Sequence, residues 1–113
     1  MPARLQEFQA GELYHVYQGG GDRQRIFFET DNYVYFIRLV RKYAFIFKVK
    51  VIAYCLLPDH FHFFLQLQLS NNLSAFMRRL QQSYVQAINK RNHRRGPLFY
   101  RRFRTKNILS PQT

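Results

Sequence analysis

The chain has few residues of several kinds, and each shortage excludes a class of protein. Its 113 residues include one cysteine, Cys55, so no disulfide forms within the chain, which favours a cytosolic location. No apolar run approaches the roughly 20 residues of a membrane span. Residues 1–7 lack the apolar segment that is typical of a signal peptide. The sequence therefore predicts neither secretion nor insertion into a membrane.

Acidic residues are also scarce, with 6 Asp and Glu against 18 Lys and Arg, so the formal net charge is +12. The acidic residues are scattered, which argues against a nuclease that holds two metal ions with carboxylates alone. The positive excess favours a polyanionic partner such as nucleic acid and is densest in residues 90–104. The alternative is a solvated basic face. We expect DNA contacts from eight arginines: Arg23, Arg25, Arg91, Arg94, Arg95, Arg101, Arg102 and Arg104.

The pattern of apolar residues predicts one domain, residues 1–113, with six regular elements. Thr30 or Asp31 is expected to cap the first helix, and Ser70 or Asn71 to start the second. The predicted elements are a strand at 13–18, a helix to about 43, strands at 47–57 and 60–69, a helix to about 90, and a strand at 102–109. This order is typical of an α+β, ferredoxin-like βαββαβ fold, a four-stranded antiparallel sheet with two helices on one face.

The most informative motif lies in residues 57–65, LPDHFHFFL, where His60 and His62 flank one bulky apolar residue. Residues two apart on a strand point to the same face, so the two imidazoles lie side by side. Neutral imidazole is a common ligand of divalent metal ions, and a bound cation neutralises charge on a phosphodiester. The motif predicts a metal pair. The alternative is two histidines that are incidental or satisfied by hydrogen bonds.

Other histidines and tyrosines are weaker candidates for chemistry. His15 lies on the first strand, which neighbours the third in this topology, and it either approaches the pair or is a core or surface residue. His93, in the arginine-rich loop, is expected to contact phosphate or solvent. A tyrosine can attack a phosphodiester. Tyr100 in the basic loop and Tyr84 on the second helix are the candidates, although the spacing of Tyr84 indicates a core residue.

Several ordered blocks carry a resemblance to a known family. They are YHV at residues 14–16 before a Gly-rich turn, AYCLLPDHFH at 53–62, MRRL at 77–80 followed by NKR at 89–91, and GPLF at 96–99 with RF at 102–103. Together they resemble the single-tyrosine HUH transposases, in particular the IS200-like and REP-associated tyrosine transposases. The likeness covers nearly the whole chain.

The resemblance implies a function in DNA transposition. It implies binding of hairpin-forming single-stranded DNA in the prokaryotic cytosol or nucleoid, and an HUH pair, His60 and His62, that holds Mg²⁺ or Mn²⁺ on the scissile phosphate. In the family a tyrosine on a further helix attacks the DNA, and a polar residue on that helix completes the metal site. This sequence stops at residue 113, before such a tyrosine is reached. We therefore expect a DNA-binding protein that is inactive in strand transfer by itself, as a monomer or a homodimer.

Two alternatives stay open. One is a non-catalytic DNA- or RNA-binding module of ferredoxin-like shape, which stacks bases on sheet aromatics. Its stacking residues would be Tyr14, Tyr17, Phe61 and Phe63. The other is a metal-dependent nuclease that uses an activated water and forms no covalent intermediate.

Overall fold

A four-stranded antiparallel sheet and two helices form the chain in the computed structural model, which describes residues 8–69 and 72–108 apart from the side chain of Arg23. The strand order is β2-β3-β1-β4. The elements are β1 Leu13–Gly19, α1 Thr30–Phe47, β2 Val49–Leu57, β3 His60–Leu67, α2 Leu73–Arg91 and β4 Arg104–Asn107. The predicted βαββαβ order and α+β class are confirmed.

The core lies between the sheet and the helices and explains the alternation along β1 and β3. Tyr14 and Val16 on β1 are buried, and so are Phe61, Phe63 and Leu65 on β3, while the residues between them are half-buried or exposed. Residues two apart on a strand share one face, so one face of the sheet is apolar and covered. The covering helices contribute their own buried stripes to the same cluster: Phe36, Leu39, Val40 and Tyr43 from α1, and Leu73, Phe76, Met77, Leu80, Tyr84 and Ile88 from α2.

The β2–β3 connection is a two-residue turn, Pro58–Asp59, because Leu57 pairs directly with His60. Proline suits the second position of such a turn since its φ is already restricted. The loop after β1 holds this turn in place. The backbone N–H of Ile26 donates to the Pro58 carbonyl at 2.8 Å, and that of Gly20 donates to the Asp59 carbonyl at 3.1 Å. The start of β3 is thus fixed against the end of β1.

Gly20 is required by this close approach. A Cβ atom at position 20 would lie 2.3 Å from the backbone oxygen of Gln24, which no side chain can tolerate. The glycine-rich turn after β1 therefore closes tightly on itself.

Several predicted boundaries differ from the structure. Helix α1 continues through Phe47, and not only to about Tyr43, until Lys48 adopts a left-handed backbone with φ of 59°. The aromatic residues before that point resemble a strand, but helix packing overrides their preference. The expected caps are also wrong: Glu29 precedes the helix, and its backbone N–H donates to the Asn32 side chain at 3.1 Å. Strands β3 and β4 are shorter than predicted.

Some predictions fall outside the described residues. They are the absence of a signal peptide in residues 1–7, the DNA contact of the Arg23 side chain, the helix start at Ser70 or Asn71, and the end of the last strand at Leu109. Neither described helix is long and apolar enough to cross a bilayer.

Candidate functional site

The face of the sheet that turns away from the helices carries polar and aromatic side chains. Directly opposed residues on neighbouring strands point to the same side. One row across the four strands is Cys55, His62, Tyr17 and Arg104, and the next is Ala53, Phe64, His15 and Lys106. These eight side chains and that of His60 are called the open face below. The sheet thus presents its histidines on the side without a helix layer.

Three histidines meet on the open face. The rings of His60 and His62 have centroids 4.9 Å apart and cross at 78°. His62 Nδ1 lies 2.9 Å from His15 Nε2, and the two ring planes are within 9° of each other. His60 Nδ1 lies 2.7 Å from the Oδ1 atom of Asp59 in the preceding turn. The β1–β3 register brings His15 to the pair, whereas the sequence left its position open.

Aromatic rings support this cluster. Phe64 lies parallel to His15 with ring centroids 4.9 Å apart, and Tyr17 lies parallel to His62 at 5.5 Å. The Nη1 atom of Arg104 donates a hydrogen bond to the Tyr17 hydroxyl at 3.2 Å. These stacked contacts restrict rotation of the His15 and His62 rings.

The environment of His62 favours its neutral form. Partial burial lowers the pKa of the His62 ring below its ordinary value, and the nearby His60 and His15 rings lower it further by charge repulsion. A neutral imidazole is the form that donates a lone pair to a metal ion.

A basic cavity of about 590 Å³ adjoins the histidines through Tyr17. Its lining includes Tyr100 and three arginines, Arg101, Arg102 and Arg104. The guanidinium of Arg101 lies 4.9 Å from the centre of the Tyr100 ring. The cavity therefore offers positive charge and an aromatic face, both of which suit a nucleic-acid strand.

Buried Gln18 places this arginine-bearing segment against the sheet. Its side-chain amide donates to the backbone carbonyl of Tyr100 at 2.9 Å and accepts a hydrogen bond from Gln81 at 3.2 Å. The backbone N–H of Tyr100 donates to the Gly19 carbonyl at 2.9 Å, beside the strand position that pairs with His60. Sequence reasoning missed Gln18. A polar residue in a buried position of the first strand was the available signal.

The other predicted arginines lie elsewhere. Arg91 at the end of α2 faces two carboxylates, Glu29 at 3.4 Å and Asp31 at 3.3 Å, on the helix side of the molecule. Arg94 donates to the Asn89 side chain and to the Pro97 carbonyl, so it braces the loop after α2. Arg25 donates to the Phe27 carbonyl, and Arg95 is exposed. The structure groups only Arg101, Arg102 and Arg104 beside the histidines among the described side chains.

A comparison with family models decides the assignment of the chain. The model described as "Transposase IS200 like" matches residues 12–107, which is most of the chain. The chain belongs to the IS200-like transposase family. The matched segment contains all four strands, both helices and the histidine pair. No curated protein matched the sequence.

Solved structures share the fold of this IS200-like transposase domain. One is a REP-associated tyrosine transposase bound to a REP hairpin, with a TM-score of 0.77 and 16% identity. The alignment covers 99% of this chain and 65% of that one, so the chain spans about two thirds of that protein's length. Another is a provisionally assigned transposase from Deinococcus radiodurans R1, with a TM-score of 0.69, 14% identity, and coverage of 96% and 85%.

The two tyrosine candidates have different surroundings. Tyr84 is fully buried between the helices and the sheet, where its hydroxyl donates to the Ile26 carbonyl at 2.6 Å. Burial raises the pKa of Tyr84 far above its ordinary value, so its hydroxyl keeps its proton. The structure thus agrees with the core position that its spacing indicates. Tyr100 is 54% exposed and lies in the basic cavity.

The predicted stacking aromatics are mostly wrong. Tyr14, Phe61 and Phe63 are 1% exposed or less and face the helices, because they alternate with the histidines. Of the four, only Tyr17 lies on the open face. Phe64, which is 42% exposed and lies beside His15, is the aromatic residue that the prediction missed.

Proposed function

We propose that this transposase-family chain binds hairpin-forming single-stranded DNA across the open face and the basic cavity. His60 and His62 would hold Mg²⁺ or Mn²⁺ for the family's cleavage and strand-transfer chemistry, and the chain by itself would bind this DNA without linking to it covalently. The observation that carries the proposal is the continuity of the surface. Tyr17 contacts both the His62 ring and the Arg104 guanidinium, so a strand in the cavity would pass directly over the histidine pair.

The arginines and aromatic rings of this surface suit different parts of a strand. Arg101 and Arg104 would neutralise phosphates, while Tyr17, Phe64 and Tyr100 offer ring faces to unpaired bases. The REP-associated transposase with the same fold binds a REP hairpin, which supports a hairpin as the first DNA to test.

The histidine pair fits a divalent ion in its donor atoms. Both Nδ1 atoms have partners, and among the described residues neither Nε2 atom has a hydrogen bond. No group of three His, Cys, Asp or Glu side chains is arranged to hold one ion within residues 8–69 and 72–108, so further ligands would be water or phosphate oxygen. A cation bound there would neutralise charge on the scissile phosphate and orient it for attack. The sequence prediction of His60 and His62 as ligands stays a prediction.

Cys55 provides a direct test of the interface. It is exposed, lies opposite His62, and is the only cysteine of the 113 residues, so its reaction with a thiol reagent reports one position. We expect hairpin DNA to slow this reaction several-fold. A matched control carries Cys55→Ser and Val34→Cys, which moves the thiol to an exposed position on α1. Unchanged Cys55 reactivity with DNA bound would overturn the open face as the interface.

A denaturing gel separates the chemical possibilities. Labelled hairpin DNA would be incubated with the 113-residue chain and Mn²⁺ or Mg²⁺. We expect shifted but unlinked DNA, because Tyr84 is buried and Tyr100 lines the basic cavity and does not lie among the histidines. A covalent band that disappears in His60→Ala would contradict this and make Tyr100 and Tyr17 the first tyrosines to replace. Hydrolysed DNA without a covalent band would indicate a nuclease that uses water.

A non-catalytic nucleic-acid-binding module is the second candidate. The exposed ring of Phe64 beside His15 on an uncovered sheet favours it, since such modules stack bases on sheet aromatics. Under this reading, replacing both His60 and His62 by alanine leaves nucleic-acid affinity the same with and without Mn²⁺. Under the metal-pair reading, the double variant loses Mn²⁺ binding but keeps its salt-dependent affinity.

A further inference from the structure

The Nδ1 atoms of His60 and His62 each have a hydrogen-bond partner that is not one of the two proposed metal ligands. His60 Nδ1 is 2.7 Å from the Asp59 carboxylate, and His62 Nδ1 is 2.9 Å from His15 Nε2. Both distances are those of good hydrogen bonds. The two ring nitrogens that remain, one on each histidine, are the Nε2 atoms.

The hydrogen bond to Asp59 determines which nitrogen of the His60 ring carries the proton. A carboxylate has no proton to give, so His60 Nδ1–H donates to Asp59, and the lone pair of the neutral ring is then on Nε2. For His62 the partner is a second imidazole, and the bond can run in either direction. Metal binding through His62 Nε2 requires that His62 Nδ1–H donates and that His15 Nε2 accepts.

We propose that Asp59 and His15 are the positioning residues of the His60–His62 pair, each accepting an Nδ1–H bond so that the Nε2 lone pair of each ring is left for the metal ion. The proposal rests on the proposed metal function. Partners of this kind hold a ligating histidine in one tautomer and one orientation, and their loss costs about 10- to 100-fold in metal affinity.

The fold holds both partners in place. Asp59 belongs to the two-residue turn whose backbone carbonyls accept hydrogen bonds from the N–H groups of Gly20 and Ile26. His15 lies on a central strand. Its ring stacks on the rings of Phe64 and Tyr17, with centroid distances of 4.9 Å and 6.0 Å. Each histidine of the pair is therefore oriented by a residue whose own position is set by backbone hydrogen bonds or by ring packing.

The test measures Mn²⁺ affinity by the electron paramagnetic resonance signal of the free ion. We expect Asp59→Ala and His15→Ala to weaken Mn²⁺ binding by about 10- to 100-fold. Asp59→Asn and His15→Gln each keep an acceptor oxygen, so we expect them to recover most of the affinity. A second readout is ¹⁵N NMR of the metal-free rings: the wild-type chain should show His60 and His62 protonated on Nδ1, and Asp59→Ala should move the His60 proton to Nε2.

The outcomes separate this proposal from the proposed function. Absence of Mn²⁺ binding to the wild-type chain, or equal binding by the His60→Ala/His62→Ala variant, overturns the metal pair itself. Wild-type affinity in both single alanine variants overturns only the positioning roles. Loss of affinity in the Asn and Gln variants with the tautomers unchanged also overturns them, because it shows that an acceptor is not what the site needs. Urea unfolding of each variant confirms that it is folded.

Discussion

Neighbouring residues of β3 have opposite environments, although they belong to one strand. Phe61, Phe63 and Leu65 are completely buried against the helices, while His60, His62 and Phe64 lie on the open face. The covered face contains the large aromatic rings that exclude water. The open face contains the histidines, with tyrosine and arginine from β1 and β4 beside them.

The difference indicates that stability and chemistry are divided between the two sides of one sheet. Burial of apolar rings supplies most of the folding free energy. Polar groups that must meet a ligand need access to it, and a strand offers both because its side chains alternate. Paired substitutions, one on each side, test this division.

The largest difference in the free energy of unfolding is expected between alanine variants of Phe63 and Phe64. Phe63→Ala empties a fully buried position, and such changes cost about 3–5 kcal/mol. Phe64→Ala removes a ring that is 42% exposed and stacked on His15, so the loss should stay below about 1.5 kcal/mol. Urea unfolding measures both. Equal losses would show that the open face also belongs to the core.

Phenylalanine variants of Tyr84 and Tyr17 should differ less, one losing stability and the other losing DNA affinity. Tyr84→Phe leaves the Ile26 carbonyl without its buried donor, which costs about 1–3 kcal/mol of the free energy of unfolding. It should leave DNA affinity unchanged. Tyr17→Phe removes a half-buried hydroxyl that accepts from Arg104, so stability should change little while DNA affinity falls. A loss of DNA affinity in Tyr84→Phe, with the fold intact, would contradict the division.

The arginines of the two sides should differ in salt dependence. Replacing Arg101, Arg102 and Arg104 by glutamine should reduce the slope of log affinity against log salt by about 0.7 for each phosphate that is no longer neutralised. Arg91→Gln should leave the slope nearly unchanged, because Arg91 already faces Glu29 and Asp31. Fluorescence anisotropy of labelled hairpin DNA between 50 and 200 mM salt, roughly the range where such slopes are read, measures both. Equal slopes for the two variants would place the DNA elsewhere.

The smallest effect concerns pH. The folded state lowers the pKa of His62, so near pH 6.5 and just below it the unfolded chain binds more protons than the folded chain. This contribution to stability is fully present above the unfolded pKa and is lost as the pH falls through 6.5 towards the folded pKa. Unfolding in urea at pH 7.5 and 5.5 should show the loss in the wild-type chain and a smaller loss in His62→Gln. An NMR titration midpoint of the His62 ring at or above 6.5 would contradict the expectation.

The strand alternation and the helix periodicity were readable from the sequence, because both depend on local geometry. The side-by-side placement of His60 and His62 follows from their spacing alone, and the structure shows it. The same alternation places Phe61 and Phe63 on the opposite side, so their predicted exposure conflicted with the position of the histidines. An aromatic side chain is available for stacking only if the strand alternation places it on the uncovered face of the sheet, and Phe61 and Phe63 lie on the covered face.

Contacts between distant residues could not be read in this way. His15 and His62 are 47 positions apart, and their 2.9 Å contact depends on the β1–β3 register. Arg91 and Arg104 look alike in the sequence, yet one faces carboxylates beside α1 and the other faces Tyr17. Only the packing of the elements distinguishes them.

The sequence by itself determined the family, the order of the elements and the histidine pair, since these depend on motifs and on spacings of two to four residues. The tertiary structure decided that His15 joins the pair and that Asp59 and His15 lie against its rings. It also decided that three of the seven predicted arginines with described side chains lie beside it. The physical reason is that register and layer packing are set by the burial of the whole core, to which every element contributes.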